Sequence, residues 1–192
     1  MMKTNVSIAI LASGGGSNAE KIIQHFKAIS NINIVLIVTN KADAYVVERA
    51  KNHSISYYVH TKEDAINGKL LNTLLESKVD FIVLAGYLRK IGSDLLTAYP
   101  NKIINIHPAL LPKFGGQGMY GMYVHRAVVE AKETESGITI HYVNANYDEG
   151  AIIEQHKCKV LKTDTAEEVQ ANVLQLEHKY FASCIERLIN QI

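Results

Sequence analysis

Apolar and polar positions follow two rhythms along the chain, and the switches between them predict the order of elements. Residues 6–12 are an apolar run that ends in Ser13-Gly14-Gly15-Gly16-Ser17-Asn18, after which Ile22, Ile23 and Phe26 recur at helical spacing. That succession predicts a buried strand, a glycine turn and an amphipathic helix. It returns as a strand over 32–39, a helix over 42–52, a strand over 55–59, a helix over 61–77 and a strand over 79–85. Lys102-Ile103-Ile104-Asn105-Ile106-His107 predicts a further strand, stopped by Pro108. A helix is expected over 124–132, alternating strands over 137–143 and 151–161, and a closing amphipathic helix over 165–189, where Thr165 and Glu168 have capping-box spacing. Strands separated by helices imply an α/β fold. The expected form is a single doubly wound, Rossmann-like domain over 1–192, with a mostly parallel central sheet, right-handed crossovers and flanking helices.

Composition narrows the partners. Twenty Lys and Arg against 19 Asp and Glu leave a net charge of +1, and no basic run could track a phosphate backbone, so nucleic acid is not an expected partner. No stretch approaches 18 apolar residues, and residues 1–5 carry no apolar leader, so no membrane association is expected either. Cys158 and Cys184 lack metal or redox spacing, which suits inert thiols in a reducing, cytoplasmic setting. Monomer and homodimer both remain open.

The candidate chemistry sits where predicted strands end. A period of two puts Asn105 and His107 on one face at a strand's carboxyl end, where open α/β sheets keep their sites. The glycine loop offers bare N–H groups and a helix N-terminus to an anion, with Ser17 and Asn18 as added donors. Gly14-x-Gly16-x-x-Ala19 fits a permissive dinucleotide fingerprint, but the second strand ends in Thr39-Asn40, where an acidic ribose partner would stand, and there is no Gly-Lys-Ser/Thr. A site for one phosphate, as on a phosphorylated sugar, remains. Thr139 and His141 share a face of their strand, and the polar turn 144–150 contains Asp148. Each of these residues alone also suits a structural role, as a polar plug or a turn former.

Taken together they exclude several chemistries: there is no HExxH or Cys/His metal spacing, no Gly-x-Ser-x-Gly elbow and no cysteine with an activating neighbour. An amide, an imidazole and a carboxylate instead suit acyl transfer by direct attack of an amine. Asn105 is expected to donate to the developing oxyanion and His107 to manage the proton. Asp148 is expected to orient His107 and raise its pKa.

Asn105-Ile-His107-Pro-x-Leu110-Leu111-Pro112, with Ser13-Gly-x-Gly16-Ser17-Asn18 before it and His141-Tyr-Val-x(4)-Asp148-x-Gly150 after it, resembles the phosphoribosylglycinamide formyltransferases of the folate-dependent formyltransferase family. The similarity runs over nearly the whole chain. Methionyl-tRNA formyltransferase and formyltetrahydrofolate deformylase look similar around Asn105 alone. The resemblance implies 10-formyltetrahydrofolate as formyl donor, glycinamide ribonucleotide as acceptor and no metal. It implies that Gly16, Ser17, Asn18 and Glu177 bind the ribonucleotide. Leu88, Arg89, Lys90, Ile91, Asn105, Asn144 and Asp148 would contact the folate, with Thr139 and His141 supporting. Lys62 is the nearest basic residue to the place of the family's folate-tail arginine, and the segment after Pro112 departs from the family by its Gly115-Gly116-Gln117-Gly118 and Met/Tyr run, read as a lip of the pocket. Other readings of the same residues are a formyltetrahydrofolate hydrolase and a non-catalytic phosphosugar binder.

Overall fold

The computed structural model describes residues 5–191; the reading of residues 1–4 as a leaderless start lies outside the described residues. Seven strands, β1 (Val6–Leu11), β2 (Ile32–Thr39), β3 (Ser56–Val59), β4 (Phe81–Leu84), β5 (Ile103–His107), β6 (Glu135–Tyr142) and β7 (Ile152–Lys159), form one sheet in the order β3-β2-β1-β4-β5-β6-β7. The first five pair in parallel; β6 and β7 are added antiparallel. Seven helices connect and close them: α1 (Ser17–Phe26), α2 (Val46–Asn52), α3 (Lys62–Ile66), α4 (Lys69–Glu76), α5 (Ser93–Ala98), α6 (Met122–Glu130) and α7 (Ala166–Ile189).

Strand alternation splits the core into two layers. Ile8 and Ile10 of β1 pack into one cluster with Ile22 and Phe26 of α1, Val128 of α6 and Phe181 of α7. Ala9 and Leu11 face the other cluster, with Leu70 and Leu74 of α4 and Leu95 of α5. A strand buried on both faces must read as an unbroken apolar run, which is why β1 and β4 carry so little polar alternation. The chain winds from β1 outward through β2 and β3, then returns to β4 on the other side of β1. The crevice above that reversal is where an open α/β sheet binds ligands.

Two elements differ from expectation. The helix expected over 61–77 is broken into α3 and α4, because Gly68 takes a left-handed conformation at φ +82° that ends one helical run and caps the next. A short helix, α5, stands before β5 where none was expected; six residues with one buried apolar side chain, Leu95, carry too little periodicity to be seen. The capping boxes at Thr61/Asp64 and Thr165/Glu168 are both formed.

Candidate active site

The floor of the site is made by the antiparallel pairing of β5 and β6. Its register sets Asn105 opposite His141 and His107 opposite Thr139, so four polar side chains project from one face of two adjoining strands. The two pairs serve different ends. Thr139 is fully buried; its hydroxyl donates to the Ala109 carbonyl (2.6 Å) and accepts from Leu111 N (3.0 Å), with Gln155 Nε2 alongside at 2.9 Å. Thr139 therefore shapes the 109–111 turn and has no hydrogen-bonding capacity left over. His141 Nδ1 donates to the Tyr142 carbonyl (2.8 Å), and its Nε2 meets Asn105 Nδ2 at 3.2 Å. That contact holds the Asn105 amide in one orientation and leaves its second N–H free.

Asp148 arrives from the turn after β6, at φ +56°. Its carboxylate accepts from Gly116 N at 2.9 Å, and its two oxygens lie 3.5 Å from His107 Nδ1 and 3.6 Å from His141 Nε2. The two histidine distances allow charge coupling but exceed those of a strong hydrogen bond. The ring of His107 is oriented instead by its Nε2–H, which donates to the Phe114 carbonyl at 2.7 Å. The segment after Pro112 thus latches both residues, through Phe114 and Gly116. Burial is the largest influence on the His107 pKa and sets it below the ordinary value; Asp148 acts to raise it, as expected, together with the Phe114 carbonyl, but does not outweigh the loss of water. Asp148 itself stays below the usual carboxylate range despite burial, because His141, His107 and Gly116 stabilise its charge.

A cleft of about 580 Å³ opens above this floor, within the usual range for small-molecule sites. Leu88, Arg89, Lys90 and Ile91 wall it from the loop after β4, Val143, Asn144 and Asp148 from the loop after β6, and Gly116 to Gly121 form the expected lip. Asn18 and Glu177 border it from α1 and α7, joined by a hydrogen bond of 2.6 Å from Asn18 Nδ2 to Glu177 Oε2. Burial pushes the Glu177 carboxyl up, against the pull of Asn18. The loop after β4 is pinned to the glycine loop through Ser13, whose Oγ accepts from Leu88 N (3.0 Å) and donates to Asn40 Oδ1 (2.5 Å). Thr39-Asn40 therefore braces this junction.

Lys62 is exposed at the start of α3 and does not line the cleft. Gly16 and Ser17 also lie outside the lining, beside Asn18, which belongs to it. Gly16 is demanded by the fold: its φ is +67°, and a Cβ there would stand 2.6 Å from Val46 Cγ2. His125 of α6 escaped notice from sequence. It is buried, lines the cleft, and has its pKa pushed down to about 4 by burial, with His107 adding to the shift. The available signal was its place among the apolar positions Val124 and Val128 on the buried side of α6.

A model of the family described as "Formyl transferase" matches residues 6–185. The chain belongs to the formyl transferase family. Phosphoribosylglycinamide formyltransferase of Bacillus subtilis (strain 168) is 37% identical over 187 residues, covering 94% of this chain and 93% of that relative. The chloroplastic phosphoribosylglycinamide formyltransferase of Arabidopsis thaliana is 44% identical over 193 residues, and the match takes in 94% of this chain but only 66% of the plant protein's length. The crystal structure of glycinamide ribonucleotide transformylase 1 from Symbiobacterium toebii superposes with a TM-score of 0.90 at 31% identity, over 98% of this chain and 89% of that one. The formyl transferase fold thus accounts for the whole sheet, its two antiparallel strands included. Among the described residues of this formyl transferase, no helix is long and apolar enough to cross a membrane, and no group of three or more His, Cys, Asp or Glu side chains could hold a metal ion.

Proposed function

We propose that this chain transfers a formyl group from 10-formyltetrahydrofolate to the amine of glycinamide ribonucleotide in purine biosynthesis. The observation that carries the reading is the convergence of Asn105 and His107, from one strand, with Asp148, from a distant turn, on the floor of one cleft. The full names of the relatives point the same way. A reduced folate suits the walls: Leu88, Ile91 and Val143 offer apolar surface to a flat ring, and the polar turn 144–148 supplies hydrogen-bonding groups at its edge. When bound, it supplies the formyl carbonyl. Arg89 and Lys90 border the cleft and are better sited than Lys62 for the donor's carboxylates.

The chain's own residues then divide the work. The free Asn105 N–H donates to the formyl oxygen as it gains negative charge. Asp148 and His107, coupled across 3.5 Å, hold the proton that must leave the attacking amine. Glu177 and Asn18 contact the ribonucleotide. Its phosphate takes the N–H groups of the glycine loop and the first turn of α1, where no side-chain cap competes for them. Cys158 and Cys184 are both free, consistent with a reducing, cytoplasmic site of action.

One assay tests the whole: mix the protein with 10-formyltetrahydrofolate, with and without glycinamide ribonucleotide, and follow tetrahydrofolate release. Release that requires the amine is expected. Release without it identifies a hydrolase, and none in either case leaves a binding protein.

The phosphate loop has its own test. Gly16→Val would clash with Val46 and confound folding with binding, whereas a Cβ at Gly15 meets nothing within 4 Å. Gly15→Ala should keep the thermal midpoint and weaken ribonucleotide binding roughly tenfold, about the worth of one hydrogen bond. Calorimetry showing unchanged affinity would remove the phosphate from this loop.

A further inference from the structure

We propose that Arg49, on α2 and outside the reacting groups, is the positioning residue that turns the glycine loop's N–H groups toward the ribonucleotide phosphate. The inference rests on the phosphate reading of that loop. Three consecutive glycines have more conformational freedom than any other tripeptide, so something must select one loop shape. Two contacts from α2 do so: Val46 N donates to the Gly14 carbonyl at 3.2 Å, and Arg49 Nε donates to the Gly15 carbonyl at 2.7 Å.

In a trans peptide, a carbonyl and the following N–H point in opposite directions. Drawing the carbonyls of Gly14 and Gly15 onto α2 therefore directs the N–H groups of Gly15 and Gly16 away from it. Arg49 also withholds the Gly15 carbonyl from Ala19 N, and the first helical bond of α1 runs from Glu20 N to the Gly16 carbonyl at 2.9 Å. Among the described residues, the N–H groups from Gly15 to Ala19 have no protein acceptor. Such a run of oriented donors is an anion nest.

Two further observations fit. Asn18 is 8% exposed; its Nδ2 is committed to Glu177, yet its Oδ1 has no partner, as expected of a group awaiting a ligand hydroxyl. The other arm of Arg49 pairs with Glu20 Oε2 at 3.0 Å, while His53 Nε2 faces Oε1 at 2.8 Å. The one carboxylate in the first turn of α1, which would repel a phosphate, is thus occupied. A guanidinium fork can hold the carbonyl and the carboxylate at once; a single ammonium cannot reproduce both directions.

The test compares wild type with Arg49→Lys, Arg49→Met and Glu20→Gln, using steady-state kinetics in both substrates and calorimetric titration with inorganic phosphate. Both Arg49 variants should raise the ribonucleotide KM and the phosphate dissociation constant about tenfold, the worth of one or two lost hydrogen bonds. Their folate KM and saturating kcat should stay within about twofold, and Glu20→Gln within about threefold in every parameter. An Arg49→Lys protein with wild-type ribonucleotide KM would mean that charge alone matters, and would overturn the proposal. Equal rises in both KM values, or a lowered melting temperature with unchanged KM, would overturn it as well. Should Arg49→Met fail to fold, Arg49→Lys carries the test. Wild-type protein that bound no phosphate would overturn the phosphate reading with it; phosphate binding indifferent to Arg49 would overturn this inference alone.

Discussion

Replacing Asn105 with alanine is expected to lower turnover by ~10²- to 10³-fold, the usual cost of deleting one donor from an oxyanion site. The folate KM should change far less, because the free N–H of Asn105 is needed most once the formyl oxygen carries charge. The substitution also strips His141 Nε2 of its 3.2 Å partner. Leaving that buried group unpaired costs about 1–3 kcal/mol of stability, so the comparison is made below the melting temperature of the variant, with circular dichroism confirming the fold. Single-turnover release of tetrahydrofolate isolates the chemical step. Near-normal release would reduce Asn105 to a partner for His141.

Asp148→Asn should cost roughly 10²-fold or more in turnover, in line with loss of acid/base function. The geometry makes this an unusually clean deletion of charge. Asp148 sits at φ +56°, a region that asparagine enters as readily as aspartate. The amide oxygen can still accept from Gly116 N, which now stands 2.9 Å from Asp148 Oδ2. What disappears is the anion coupled to two histidines. Burial already lowers the His107 pKa, and Asp148 is the largest influence raising it. Removing the charge must therefore move the His107 titration to still lower pH, and less imidazolium is present at any given pH. NMR titration of the ring should show that downward shift, and an alkaline limb of the pH–rate profile that reports His107 should move down with it. A folded variant within about threefold of wild-type turnover, less than 1 kcal/mol of barrier, would make Asp148 a turn residue only.

The two residues behind these predictions were legible from different kinds of information. Asn105 and His107 follow from strand periodicity and a terminating proline, both local signals. Asp148 lies far along the chain in a polar turn that by itself suits a structural role equally well; contact with His107 depends on β6 running antiparallel beside β5 and turning back at 144–150. Local propensity cannot state a partner, because pairing direction and register are settled by which apolar faces must be buried together. The same limit explains the role of Thr139, whose shared face with His141 was foreseen but whose hydroxyl is consumed by the 109–111 turn.

By itself the sequence determined the alternation of strands and helices, the glycine loop before α1, the capping box of Thr165 and Glu168 and the face on which Asn105 and His107 stand. These rest on backbone sterics and on periodicity over a few residues, which any tertiary context must respect. Tertiary structure alone decided the strand order, the antiparallel addition of β6 and β7, and the latch of Phe114 and Gly116 on His107 and Asp148. It also decided that His125 would face the cleft, that Lys62 would not line it, and that Arg49 would reach the Gly15 carbonyl. Most of these depend on contacts between residues distant in sequence, formed only when the two apolar layers close on the sheet. The pKa of His107 belongs with them, because its sign depends on how completely the fold removes water from the ring.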